Sequence, residues 1–285
     1  MTIRIVTDST CDLPPDRVAR WGIQVVPMYI NVGDQGFRDG VDLTREAFYQ
    51  RLPVFPVHPT TAAPSPEAFR STYAALAAEG ATHILSIHVA GTLSAVVNVA
   101  RSVARELTAV PITVIDSQQL SLGVGFLVET AARLAVLGRS VVDILAAVQD
   151  QIARTQVFAA LDTLEYLRRS GRLNGLLAGF GTILQLKPLL TMSRGVAGTE
   201  RVRTRRRATE RLLEMLRAVG PLEQVALLHA HAVDRANELR ALAAEWLPAG
   251  EILTVDITPV LGAHLGPGAV GFAAVAARRD SVLGS

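Results

Sequence analysis

Short β-branched runs alternate with longer amphipathic stretches along most of the chain, a pattern that predicts strands followed by helices. Ile3–Thr7 reads as a strand and leads through Asp8-Ser9-Thr10-Cys11-Asp12-Leu13-Pro14 into a helix over Pro15–Trp21, which Gly22 ends. Val25–Val32 reads as a second strand, Asp34–Gly40 as a turn or small hairpin, and Thr44 caps a short helix through Arg51. Pro53–Pro66 holds five prolines and predicts an extended segment, with Ser65 as the cap of a helix over Glu67–Glu79. Ile84–Ile87 and Ile112–Asp116 read as buried strands. Each is followed by a helix, from Leu93 to about Leu107 and over Ser121–Leu137. Ser140 and Asp143 make a capping-box start for a helix to about Arg154. This first half predicts a parallel, helix-covered sheet.

The pattern changes near Thr155. Val157–Leu161 and Leu184–Met192 read as strands, Ser193-Arg194-Gly195 as a hairpin turn and Thr199–Arg203 as its returning strand, so antiparallel pairing enters. Thr204 caps a helix to Val219. Strand Val225–His229, helix Val233–Trp246 and strand Ile252–Ile257 follow. The expected architecture is therefore α/β with two domains: a parallel-sheet domain over residues 1–154 and a mixed or antiparallel one over 155–285. Ile257–Phe272 places His264 among four glycines and two prolines and reads as a loop that exposes backbone N–H groups. Two readings fit it: an anion seat, or a tight connection with a histidine bonded for packing.

Composition narrows the function classes. The 285 residues are 49% hydrophobic and 19% charged, with a mean hydropathy of +0.31, which suits a compact globule with a large interior. A net charge of +2 provides no global field for nucleic acid or an anionic membrane. The local run Arg201–Arg207 lacks interleaved aromatics and leads into an Arg/Glu helix, so a solvated face is the favoured reading and no nucleic-acid partner is expected. Cys11 stands alone, which excludes an internal disulfide, and the chain opens directly on a strand pattern, so the cytoplasm is the expected compartment. Leu120–Leu137 is interrupted by Glu129 and Arg133 and reads as a buried helix, so no stable membrane insertion is expected.

Neither metal-ligand spacing around His83, His88, His229 and His231, nor a nucleophile elbow, Walker loop or dinucleotide fingerprint is present, so no metal and no cofactor are expected. The turn Val89-Ala90-Gly91-Thr92, between a strand and a helix, is the kind of place where anions bind. Arg168, Arg169 and Arg172 cluster at a helix end, where they either complement the helix dipole or face a partner.

Five separated segments carry a more specific signal. Ile5–Leu13, Val114-Ile115-Asp116-Ser117, Asp162–Leu167, Leu186–Leu190 and Gly262–Ala269 together resemble the DegV family over the whole chain. The resemblance implies one long-chain fatty acid held between two domains, with its carboxylate at the surface end. It also implies a non-catalytic subunit that presents the carboxylate to a separate ATP-dependent fatty acid kinase subunit, carries the acyl phosphate away and touches membranes only transiently. Thr61, Gly91, Thr92, His264 and Gly266 would hold the carboxylate, and Arg169, Arg172 and Arg203 would form a basic rim for phosphate or kinase. The chain departs from the family pattern at Ala62-Ala63, where Ser-Gln is usual, and at Ala90, where a serine hydroxyl is usual. An alternative is a small-polyol site related to dihydroxyacetone-type kinases, with His264 as its reactive residue.

Overall fold

The computed structural model describes residues 2–171 and 187–278. From the N-terminus, β1 (Ile3–Asp8), α1 (Pro15–Arg20), β2 (Gln24–Val26), β3 (Tyr29–Val32), β4 (Gln35–Arg38), α2 (Arg45–Arg51), β5 (Thr60–Ala62), α3 (Pro66–Ala78), β6 (His83–His88), α4 (Val96–Glu106) and β7 (Ile112–Asp116) follow in order. The helices α5 (Leu122–Val136) and α6 (Val141–Arg154) lead to β8 (Thr155–Ala160), α7 (Glu165–Arg169), β9 (Lys187–Ser193), β10 (Val196–Val202) and α8 (Arg205–Val219). Then come β11 (Leu222–His229), α9 (Val233–Leu242), β12 (Leu253–Asp256), α10 (Pro259–Leu265) and β13 (Val270–Ala276).

The strands form three sheets. A parallel sheet of order β2-β1-β6-β7 and a small antiparallel sheet β4-β3-β5 come from the first half of the chain. The second half forms a mixed sheet of order β10-β9-β8-β13-β11-β12, in which only β11 and β12 run parallel. The two-domain α/β architecture expected from the alternation is the one observed.

Helix α5 sits between the large sheets. Leu122, Phe126, Leu127, Val128, Ala131 and Ala132 are all buried, which explains a helix that is apolar nearly all round. Its half-buried charge is paired: Glu129 accepts from Arg17 at 2.9 Å and from the Trp21 indole at 3.0 Å. Strand β13 is covered on both faces. Ala273 and Val275 join the core shared with α5, whereas Phe272 and Ala274 pack with Leu212, Leu216 and Leu227 on the far side. The period of two along a strand divides one apolar run between two cores.

Three expectations are corrected. Val25–Val32 is two strands in different sheets, because Pro27 cannot donate to a ladder and marks the switch. The helix after β6 starts at Val96, not Leu93, since Ala90–Ala95 is spent on turns. The segment Ile257–Phe272 is not an open loop: it contains α10, with Pro259 in its first turn and Thr258 as its cap. The start of the expected strand Leu184–Met192 lies outside the described residues, and β9 runs from Lys187.

At the C-terminal ends of β1 and β6 lies a buried polar chain. Asp8 Oδ2 meets His88 Nδ1 at 3.0 Å, His88 Nε2 meets Ser86 Oγ at 2.7 Å, and Ser86 Oγ meets the Tyr73 hydroxyl at 2.7 Å. Asp8 also accepts from the Val89 N–H at 3.1 Å and from the Thr10 hydroxyl at 2.5 Å. Burial alone would raise the Asp8 pKa, but the His88 hydrogen bond and charge, with Thr10 and Val89, hold it below its ordinary value.

Two stability predictions follow from these contacts. A Cβ at Gly271 would lie 2.1 Å from the Phe158 carbonyl oxygen and 2.6 Å from the Ala159 Cα, both backbone atoms of β8. Gly271→Ala should therefore cost about 1–3 kcal/mol as overpacking, read as a lower denaturant midpoint at unchanged slope. Asp8→Ala strands several buried donors and should cost about 3–5 kcal/mol. Because the folded pKa of Asp8 is depressed, its contribution is present above the ordinary aspartate value of 3.8 and lost as pH falls through the folded value. Stability curves of wild type and variant should converge on the acid side.

Candidate functional site

Helix α10 brings His264 to the boundary between the two halves. The Thr258 hydroxyl accepts the Leu261 N–H at 3.4 Å, Pro259 starts the helix, and Gly266 ends it with φ 74° and its N–H on the Gly262 carbonyl at 2.8 Å. A Cβ on Gly266 would fall 2.3 Å from the Tyr166 ring of α7, so this position requires glycine for both conformation and space. In the last turn, His264 Nε2 shares a hydrogen bond with Thr61 Oγ1 at 2.9 Å, its direction set by the imidazole tautomer. Thr61 stands on β5, so 203 residues of sequence separation close into one contact.

An apolar cavity of about 120 Å³ opens beside this pair. Met28, Val89, Leu93 and Leu120 line it from the first half of the chain. Phe158, Leu190, Met192, Ala197, Val260 and Leu265 line it from the second, and Thr61 and His264 are among its few polar neighbours. A smaller void of about 30 Å³ adjoins it and shares Leu120, Val157, Ala159, Leu261 and Leu265 with it. On the outer side is an open hollow of about 310 Å³ lined by Met28, Thr61, Ala62, Ala63, Thr92, Leu93, Ser94 and Ala95. Thr61 and Ser94 stand on the wall common to the cavity and the hollow. The arrangement suits an apolar body with one polar end near the outside.

The other expected carboxylate residues are differently employed. The Gly91 N–H donates to Asp116 Oδ2 at 3.1 Å, and the Thr92 hydroxyl donates to the Gly195 carbonyl at 3.0 Å, tying the turn after β6 to the β9–β10 hairpin. Thr92 lines the outer hollow, while Gly266 acts through its packing on Tyr166. Of the five residues, Thr61 and His264 are the two that meet. Ala90 is fully buried, and Ala62 lines the hollow.

Arg169 is exposed and donates to Glu165 at 2.6 Å. Arg168 donates to the same carboxylate, and these two hydrogen bonds, Arg168 first, lower Glu165 to about 2. Arg203 is exposed just before the cap of α8, and Arg172 lies outside the described residues. The basic run is largely matched by acids: Arg205 pairs with Asp162, Arg206 with Glu210, and Arg207 with Glu210 and Glu214. That matching leaves little field for a polyanion.

Three side chains escaped the sequence reading. Thr10 lines the cavity but looks like part of a helix start. Ser94 lies inside the segment read as helix. His58 sits in the proline-rich stretch with its ring 5.7 Å from that of Tyr166; burial, then the charge of Arg169, lowers its pKa. Among the described residues, no group of three or more His, Cys, Asp or Glu could hold a metal, and no helix is long and apolar enough to cross a membrane.

Comparison with known proteins shows the family. A family model described as uncharacterised protein, DegV family, matches residues 2–277. A DegV domain-containing protein of Streptomyces coelicolor is 36% identical over 277 residues, covering 94% of this chain and 96% of its own. A Thermus thermophilus structure, described as fatty acid binding of a DegV family protein, superposes with a TM-score of 0.89 at 37% identity, covering 97% of this chain and all of that one. The Bacillus subtilis structure described as DegV, a fatty acid binding protein, gives a TM-score of 0.89 at 27% identity, with 97% of this chain and all of that one covered. A match across nearly the full length, in sequence and in fold alike, means that this chain belongs to the DegV family.

Proposed function

We propose that the protein binds one long-chain fatty acid, with the acyl chain in the cavity between residues 1–154 and 155–285 and the carboxylate beside Thr61 and His264. The observation that carries this reading is a cavity walled mainly by apolar side chains from both halves, with the Thr61–His264 contact among its few polar groups. Each buried methylene contributes about 0.8 kcal/mol, so a long chain supplies most of the affinity. The carboxylate needs donors of its own, because an unpaired anion is costly to bury. The Thr61 hydroxyl, the His264 imidazole and the Ser94 hydroxyl supply them, and Ser94 takes the part of the serine hydroxyl missing at Ala90. Two characterised relatives described as fatty-acid-binding proteins support the choice of ligand.

In the same reading the chain is a carrier. It holds the carboxylate at the outer hollow, where a separate ATP-dependent kinase subunit would phosphorylate it, and the exposed Arg169 and Arg203, with Arg172, offer cations to the phosphates or the partner. The role of His264 is positioning. A small polyol would leave this apolar cavity empty and find few hydroxyl partners, so no observation favours the polyol kinase reading.

Denaturing extraction of the purified protein followed by mass spectrometry should release a long-chain fatty acid at near one equivalent. A polar metabolite, or nothing that added fatty acid displaces, would overturn the assignment. Thr61→Val and His264→Ala should each weaken fatty-acid binding by about 10- to 100-fold, the worth of a hydrogen bond to a charged group, without lowering the melting temperature by more than a few degrees. Unchanged affinity in both would place the carboxylate elsewhere.

A further inference from the structure

The carboxylate of Asp12 is fully buried yet outside the cavity lining. It follows the turn Ser9–Cys11 with φ 55°, a conformation that non-glycine residues hold only when their surroundings impose it. Three partners do so. Oδ1 accepts the Thr258 N–H at 2.8 Å, Oδ2 accepts the Ser121 hydroxyl at 2.5 Å, and Arg45 of α2 lies 3.2 Å from Oδ1. Ser121 precedes α5, and Thr258 caps α10.

Helix α2 grips the same end of α10. Arg45 also donates to the Asp256 carbonyl, the Tyr49 hydroxyl donates to the Ile257 carbonyl at 3.2 Å, and the Tyr49 ring fills the space where Gly262 has no side chain. Residues of the first half thus hold the start of a seven-residue helix that belongs in sequence to the second half. At 1.5 Å per residue α10 is only about 10 Å long, too short to absorb a tilt at its cap without moving its last turn. That last turn carries His264.

We propose that Asp12 is a positioning residue for the carboxylate site: by fixing the cap of α10 across the boundary between the halves, it sets His264 against Thr61. The proposal rests on the fatty-acid reading for the identity of the ligand, but its geometry concerns the empty protein as well.

The surroundings make this latch sensitive to protons. Burial, opposed by Arg45, raises Asp12 to about 6, and burial raises the neighbouring Asp39 to about 7. Arg45 and Tyr49 face the pair from α2, and Asp256 faces it from the end of β12. Beyond Asp256 lie His229, with Nδ1 3.4 Å from its carboxylate, and His231, whose ring stacks on Tyr49 at 5.7 Å. Neighbouring buried acids that feel each other's charge titrate as a pair. A charged Asp12 is the stronger acceptor for the Thr258 N–H, so the cap is held tightly above about pH 6 and more loosely below it.

The test is a pH titration of the His264 ring resonance by NMR in ligand-free protein, for wild type and for Asp12→Asn, joined to fatty-acid dissociation constants at pH 7.5. Asp12→Asn keeps the shape and a neutral acceptor, so the fold survives where Asp12→Ala would strand Thr258 and Arg45. In wild type the resonance should show an additional inflection near pH 6. The variant should lose that inflection and bind fatty acid about tenfold more weakly, with Asp12→Glu restoring part of both. A variant that is less stable but keeps the wild-type His264 titration and affinity would reduce Asp12 to a purely structural role and overturn the proposal. If wild type binds no fatty acid while the inflection still depends on Asp12, the carrier reading fails and the positioning role stands.

Discussion

A carboxylate with no access to water has to be satisfied where it lies, and at Asp12 that requirement joins three distant parts of the chain. The cost of burying an unpaired carboxylate is several kcal/mol, so Ser121, Thr258 and Arg45 must arrive together or not at all. They come from the start of α5, the cap of α10 and the first turn of α2. One residue near the N-terminus therefore fixes how the parallel sheet, the central helix and the second half of the chain meet. The left-handed backbone at Asp12 belongs to the same junction, since a non-glycine residue holds that conformation only where its surroundings impose it.

With that junction set, the cavity follows as a consequence of topology. Helix α10 connects β12 to β13 in the mixed sheet but packs on α2, β3 and β5 of the other half. Its buried residues Val260 and Leu261 face inward between the sheets, and Leu120, ahead of α5, closes the opposite side. Apolar walls donated by two separate layers need not interdigitate fully, and the space they leave is lined mainly by apolar side chains. Thr61 of β5 and His264 in the last turn of α10 meet on its wall. Asp8 supports the wall from behind: it binds the Thr10 hydroxyl and the Val89 N–H, so two cavity-lining residues are held by one buried acid.

Much of this was legible in the sequence and some was not, for physical reasons. Alternating β-branched and amphipathic segments announced the parallel sheet, and the Ser140–Asp143 capping box formed as the spacing implied. The signals of α10 were equally present in Thr258, Pro259 and Gly266. They were outweighed by the glycine and proline density around His264, although those very residues are helix start and stop signals when a capping threonine precedes them. Thr61 and His264 could be named from the family pattern, but their pairing across 203 residues has no local signature. The hydrogen bonds of Gly91 and Thr92 have no local signature either. A backbone N–H at a strand-to-helix turn looks available until the structure shows Asp116 taking it. Asp12 gave no hint of its partners, since a short acidic residue after a strand is the commonest of caps.

The division of labour at the proposed site can be argued from magnitudes alone. Four methylenes buried at about 0.8 kcal/mol each already match the roughly 1.5–3 kcal/mol of a hydrogen bond to a charged group. In a ligand with a long acyl chain the cavity walls then decide how tightly it is held, and the head-group contacts decide which way round it lies. Reversing the ligand would bury the carboxylate among Leu120, Val157, Leu261 and Leu265 with no comparable set of donors, a far larger loss than any gain from repacking. Orientation is what a carrier must guarantee if another protein is to reach the carboxylate, and in the proposed site the threonine–histidine pair would set it. That places the burden on the accuracy of His264, and hence on the cap of α10 and on the buried acid that holds it.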